Sequence, residues 1–256
     1  MKIKKFYILI LVLIIVLVGG FFINQKFSNN EKETNTLSSP VSSIIPSQTF
    51  LPSPSPEVTE DADSQSQEIP SSYLIKNFPF QSQAPFGDWD KLHDEACEEA
   101  AVILVQYWQK GKSLSAETMD DQILKMVDWE IKNWGEHKDL TVKETAEMAK
   151  EFYGLSMTPK YGITIDDIKK QIAQDNPVII PTAGRLLGNP YFRQPGPVYH
   201  MLVAIGYEGN NIIVQDIGTR RGDHYKYNKE VLYNAIHDWN GTEESINNGR
   251  KAMLVF

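Results

Sequence analysis

The residue best suited to chemistry in this 256-residue chain is its single cysteine, Cys97. A lone cysteine has two readings. In an apolar core it is a small, inert hydrophobe. At a helix start beside a base it is a nucleophile, because the helix terminus and a neighbouring cation favour the thiolate. Residues 96–109 place Ala101, Leu104, Val105 and Trp108 at helical spacing, which predicts that Cys97 lies in a first helical turn. Glu98 and Glu99 follow it. Acidic residues suit that turn but oppose a thiolate, so a basic partner has to outweigh them for Cys97 to react.

The chain has five histidines to supply that partner. His93 sits four residues before Cys97 in a predicted loop, His137 lies in the polar stretch KNWGEHKD, and His224 and His237 neighbour charged residues. His200 differs, because it opens the apolar run HMLVAIGY, a buried-strand pattern. The next run, NIIVQD, ends in Asp216 after a short turn at Glu208, Gly209 and Asn210. These two strands should pair as a hairpin. A three-residue loop makes the paired residue numbers sum to an even value, which puts His200 and Asp216 on one face. Asp216 then lies diagonally opposite His200 and is placed to orient its imidazole, which is what a base that activates a nucleophile requires.

The elements that must position these groups follow a clear order. Helices are predicted over 96–109, 115–129, 142–152 and 165–174, the last with Thr164 as N-cap. Strands are predicted over 177–181, 201–207, 211–215 and 251–256. This is an α+β domain with an N-terminal helical half and an antiparallel sheet, expected over residues 73–256. The segment 184–199 reads as a long loop that delivers His200 and walls a cleft. Trp89 and Trp239 are candidates for lining that cleft.

The first 72 residues are of another kind. Three lysines among residues 1–5 precede eighteen uncharged, apolar residues, FYILILVLIIVLVGGFFI. As a helix these rise about 27 Å, close to the thickness of a bilayer's hydrocarbon core. The lysines favour a cytoplasmic N-terminus, and no small-residue cleavage site follows. Residues 1–24 are therefore expected to be a single-pass signal-anchor, with the catalytic domain outside the cytoplasm. Residues 25–72, with runs such as SSPVSSIIPSQTFLPSPSPE, are expected to be a disordered linker. The formal net charge of −8 argues against a nucleic-acid partner. One cysteine excludes an intrachain disulfide and any zinc site built on several thiolates. Neither cofactor nor metal is called for.

The segments FQSQAPFGDWDKLHDEACEEAA, AGRLLGNPYFRQPGPVYHMLVAIGY, QDIGTRRGDHYKY and AIHDWNG resemble the bacteriocin-processing type of cysteine peptidase, family thirty-nine of the papain-like clan, in its stand-alone branch. The resemblance spans about residues 77–256. It implies a papain-like fold, a Cys97–His200–Asp216 triad and a peptide or protein substrate. It also implies that Gln83 helps form an oxyanion hole, with Gln81 as the nearby rival. Many relatives carry Gly just before the cysteine, where this chain has Ala96. The same thioester chemistry serves transpeptidases, deamidases and cell-wall peptide amidases. An idle peptide- or cell-wall-binding module is the non-enzymatic alternative.

Overall fold

The computed structural model describes residues 68–256. The anchor expected at 1–24 and most of the expected linker lie outside the described residues. Among the described residues no helix is long and apolar enough to cross a membrane.

Among the described residues six helices are interleaved with the strands: α1 (Lys91–Asp94), α2 (Cys97–Gln109), α3 (Ala116–Trp134), α4 (Val142–Tyr153), α5 (Ile165–Ile172) and α6 (Lys229–Ala235). Their starts are written in the capping residues. The Ser115 hydroxyl accepts from Thr118 N at the start of α3. Thr141 with Glu144, and Thr164 with Asp167, form reciprocal capping boxes at the starts of α4 and α5. Helix α3 outruns its predicted end by five residues, because the first residue able to stop it is Gly135, left-handed at φ 88°. Helix α2 is not the one-faced helix its spacing suggested. It is buried continuously from Cys97 to Gln106, including Glu98 and Glu99, as a helix at the centre of a domain must be.

The sheet has seven strands, all paired antiparallel: β1 (Ser72–Leu74), β2 (Thr158–Tyr161), β3 (Val178–Ala183), β4 (Tyr199–Glu208), β5 (Asn211–Gln215), β6 (Tyr225–Asn228) and β7 (Ala252–Val255). Their order is β2-β7-β3-β4-β5-β6, with β1 pairing the far end of β4. Strand β1 approaches so closely that a Cβ on Gly206 would meet Leu74 Cδ1 at 2.8 Å and Tyr73 O at 2.9 Å. Strands β3 and β4 are buried on both faces, and α2 packs against β4. This contact brings the first turn of α2 to the strand that begins with His200.

The hairpin between β4 and β5 reaches the predicted geometry by another route. Its turn has two residues, since Glu208 pairs with Asn211, and that register sums to an odd number. A bulge between Ala204 and Gly206 then shifts the ladder by one, so Val203 pairs with Gln215 and Ala204 with Val214. The extra residue, Ile205, turns its carbonyl to Ile75 N at 2.9 Å. The bulge restores the even register at the end of the hairpin that carries His200 and Asp216.

Candidate active site

Cys97 is the first residue of α2, and Ala96 before it provides no side-chain cap. The N–H groups of the first turn are thus free of a competing side chain. The thiol is buried, donates to Glu98 Oε2 at 2.9 Å, and its sulfur accepts from Met201 N at 3.2 Å. The sulfur therefore lies against the strand residue next to His200. It is not hydrogen-bonded to the imidazole in this conformation. Burial pushes the Cys97 thiol well above the ordinary thiol range, and the charge and hydrogen bond of Glu98 add to the rise. The Met201 N–H works against it. The thiol is desolvated and turned to a carboxyl group, and the basic partner that the sequence called for does not touch it in this conformation.

His200 is 1% exposed and its Nε2 lies 2.9 Å from Asp216 Oδ1. Asp216 is fully buried yet well supplied with donors. Oδ1 also accepts from Gly218 N at 3.1 Å, and Oδ2 accepts from Asn189 Nδ2 at 2.9 Å and Tyr227 OH at 2.5 Å. Burial alone would raise the Asp216 carboxyl. Hydrogen bonds from His200, Tyr227 and Asn189, with the His200 charge, outweigh it and hold the carboxyl below the usual range. The His200 ring is fixed from a second side by Phe192, edge to face at 5.4 Å. Gly218 leaves room for both rings, since a Cβ there would sit 2.9 Å from His200 Cε1 and from Phe192 Cε1. Sequence reasoning missed Asn189, Phe192 and Tyr227. The only signal for them was their place in the loop before β4 and in the short strand β6.

Cys97 and His200 open onto one pocket of about 290 Å³, which Gln83, Trp89 and Gly218 also line. The loop before β4 forms one wall through Phe192, Arg193 and Val198, as its length suggested. Arg193 ties that wall across to Asp94, at 3.0 Å, and to the Trp89 carbonyl. Trp89 is thus at the pocket. Trp239 is not among the lining residues, because it packs behind Tyr199 at 5.4 Å and against the core. Of the two glutamines, Gln83 reaches the pocket, whereas Gln81 turns its amide to the Leu114 carbonyl. Gln83 Nε2 donates to the carbonyls of His93 at 2.8 Å and Asp94 at 3.1 Å, and its buried Oε1 has no partner. The amide cannot be turned over, since that would set oxygen against two carbonyl oxygens.

The other histidines lie elsewhere. His93 meets Asp90 and Asp120, His224 meets Asp223, and His237 meets the Gly249 carbonyl, while His137 lies beside Glu99 without a hydrogen bond to it. The charged side chains of the pocket are mostly acidic. Asp94, Glu95, Asp139 and Glu243 face Arg193 as the only Lys or Arg in its lining. Burial, then the charges of Glu95 and Glu243, push Asp139 up to about 7.

No curated protein matches the chain. Solved structures similar to it include the following three. A protein from Bacillus anthracis described as a C39-like peptidase is 16% identical, covering 72% of this chain and 97% of that one, at a TM-score of 0.49. Digestive procathepsin L 3 from Tenebrio molitor larval midgut is 10% identical, covering 75% and 71%, at 0.41. Xylellain, a cysteine protease from Xylella fastidiosa, is 12% identical, covering 73% and 86%, at 0.34. The sequence also matches the Peptidase_C39 like family over residues 75–246, about two thirds of its length. The matched stretch contains Cys97, His200 and Asp216, and on it the chain belongs to the Peptidase_C39 like family and is a cysteine peptidase.

Proposed function

We propose that this chain is a membrane-tethered peptidase, with its catalytic domain outside the cytoplasm, that hydrolyses peptide bonds through a Cys97–His200–Asp216 triad. The observation that carries the triad is the bond from His200 Nε2 to Asp216, which leaves Nδ1 as the free ring nitrogen of a histidine that shares a pocket with Cys97. The thiol proton moves from its resting place at Glu98 to His200 Nδ1 as the sulfur attacks the substrate carbonyl carbon. The carbonyl electrons pass to oxygen. That oxygen is held by the free Cys97 N–H and by one Gln83 Nε2 hydrogen, released from the longer bond to Asp94. Collapse of the tetrahedral species expels the amine, which takes the proton from His200. Water, deprotonated by His200, then cleaves the thioester and restores the thiol.

The acidic lining supports a cationic side chain close to the scissile bond, because Asp139, Glu95 and Glu243 are not paired with a lysine or arginine within the pocket. The test is a peptide-library digest with the full-length chain beside Cys97→Ala. Cleavage enriched next to Lys or Arg, and absent in the variant, is the expected result. Equal products from both chains overturn the triad, and enrichment at Asp or Glu overturns the specificity. An added amine acceptor distinguishes hydrolysis from transfer.

A further inference from the structure

Glu99, Glu130 and His137 form a second cluster of ligating groups, outside the proposed triad. Glu99 comes from the first turn of α2, Glu130 from near the end of α3, and His137 from the turn that follows α3. Glu130 is fully buried and Glu99 is 1% exposed, yet none of their four carboxylate oxygens has a hydrogen-bond partner. His137 Nε2 lies 2.9 Å from Glu99 Oε1, but the two are not aligned for a hydrogen bond, and that nitrogen is also without a partner. Other buried carboxylates in this domain gather donors. Glu98, next in sequence, takes the Leu140 N–H and the Cys97 thiol, and Asp216 takes four groups. Leaving two neighbouring carboxylates without donors is costly unless a cation belongs between them.

We infer that Glu99, Glu130 and His137 bind one divalent cation of the zinc or manganese class, which clamps α2, α3 and the turn behind the nucleophile. One ligand atom from each residue lies within 4.8 Å of the other two. The 2.9 Å separation of His137 Nε2 from Glu99 Oε1 matches two ligands at about 90° on an octahedral ion with bonds of about 2.1 Å, and is somewhat shorter than a tetrahedral zinc site would set. One imidazole and two carboxylates suit zinc or manganese, whereas calcium prefers an all-oxygen set and soft ions prefer thiolates. The His137 side chain is 11% exposed, which gives the ion a route from solvent. The competing state is metal-free: a proton shared by the two carboxyl groups, with a protonated His137 against Glu99 Oε1. Sequence reading found no such set, since these residues lie 31 and 7 positions apart along the chain and share no motif.

The test uses the full-length chain carrying Cys97→Ala, so that the thiol cannot take the ion. After chelator treatment, zinc, manganese, magnesium and calcium are titrated separately, with bound metal and melting temperature as readouts. Zinc or manganese should bind at one equivalent with Kd below about 10 μM, and should raise the melting temperature by roughly 5–10 °C at a hundredfold excess over Kd. Glu130→Gln preserves shape and can stand in for a protonated acid, but it is a poor ligand. It should lose the bound equivalent and the thermal shift, as should His137→Asn. Absence of zinc and manganese binding in that range overturns the proposal, as does binding that is equal in all three chains. Two variants are used so that poor folding of one does not decide the outcome.

Discussion

Replacing Asp216 with asparagine tests the proposed triad most directly, because the structure dictates what the amide must do. The carboxylate accepts from His200 Nε2 and Gly218 N on one oxygen and from Asn189 and Tyr227 on the other. Asparagine offers one acceptor oxygen and one NH2 group. If its oxygen faces His200, its NH2 meets Tyr227, whose hydroxyl can rotate to accept, and Asn189 Nδ2, which cannot. If its NH2 faces His200, it meets the fixed Gly218 N–H and forces the ring proton onto Nδ1, where no base is then available. Either way one buried donor is orphaned and the charge-assisted bonds weaken, a loss of about 2–4 kcal/mol at neutral pH. The folded carboxyl lies below its ordinary value of 3.8. Its contribution is therefore complete above that pH and is lost as pH falls through the folded value. The stability gap between wild type and Asp216→Asn should be flat from neutral pH down to about 4 and narrow below it. Turnover should fall by at least about 100-fold, whereas iodoacetamide labelling of Cys97 at pH 7 should fall less than in His200→Ala, because the oxygen-inward orientation keeps Nδ1 as a base. Denaturant unfolding across pH, peptide turnover and labelling would be measured together, with His200→Ala as the control that loses both turnover and labelling. Wild-type turnover in a destabilised Asp216→Asn would make Asp216 a structural anchor and refute the triad.

Three further outcomes are expected. Gly218→Ala puts a methyl 2.9 Å from His200 Cε1 and from Phe192 Cε1, so turnover should drop on the order of 100-fold while the protein stays folded; unchanged kinetics would mean that the ring position is unimportant. Gln83→Ala should lower kcat by roughly 100- to 1,000-fold through loss of an oxyanion donor, and Gln81→Ala, whose amide faces Leu114, should leave kcat within a few-fold; the reverse order would reassign the role. Protease added to intact cells should cut residues 25–72 and release the domain, and a domain protected inside the cell would overturn the proposed topology.

Much of the path to this site can be read in the sequence, for local reasons. Ser115, Thr141 and Thr164 cap helices because a hydroxyl beside free N–H groups acts over one turn. The runs after His200 and before Asp216 are long and apolar enough to be strands on composition alone. The resemblance added Gln83 to Cys97, His200 and Asp216. Strands β2 and β6 escaped notice because they are short and largely exposed, so their pairing partners define them more than their own residues do.

What the sequence by itself determined is which residue types are available and in what order the elements come: a lone thiol at a helix start, a histidine opening one strand and an aspartate closing the next. The tertiary structure decided how those groups are used. It reached the parity that joins His200 to Asp216 through a two-residue turn and a bulge at Ile205, whose carbonyl is held by Ile75, just after β1 and far earlier in the chain. It buried Glu98 and Glu99, which a sequence can only mark as acidic, and so turned the thiol toward Glu98 and set Glu99 beside Glu130 and His137. It also placed Trp89 at the pocket and Trp239 behind it. Capping and strand period act between neighbours along the chain. Burial and the supply of hydrogen-bond donors are set by segments many residues away, and they exist only once those segments have packed.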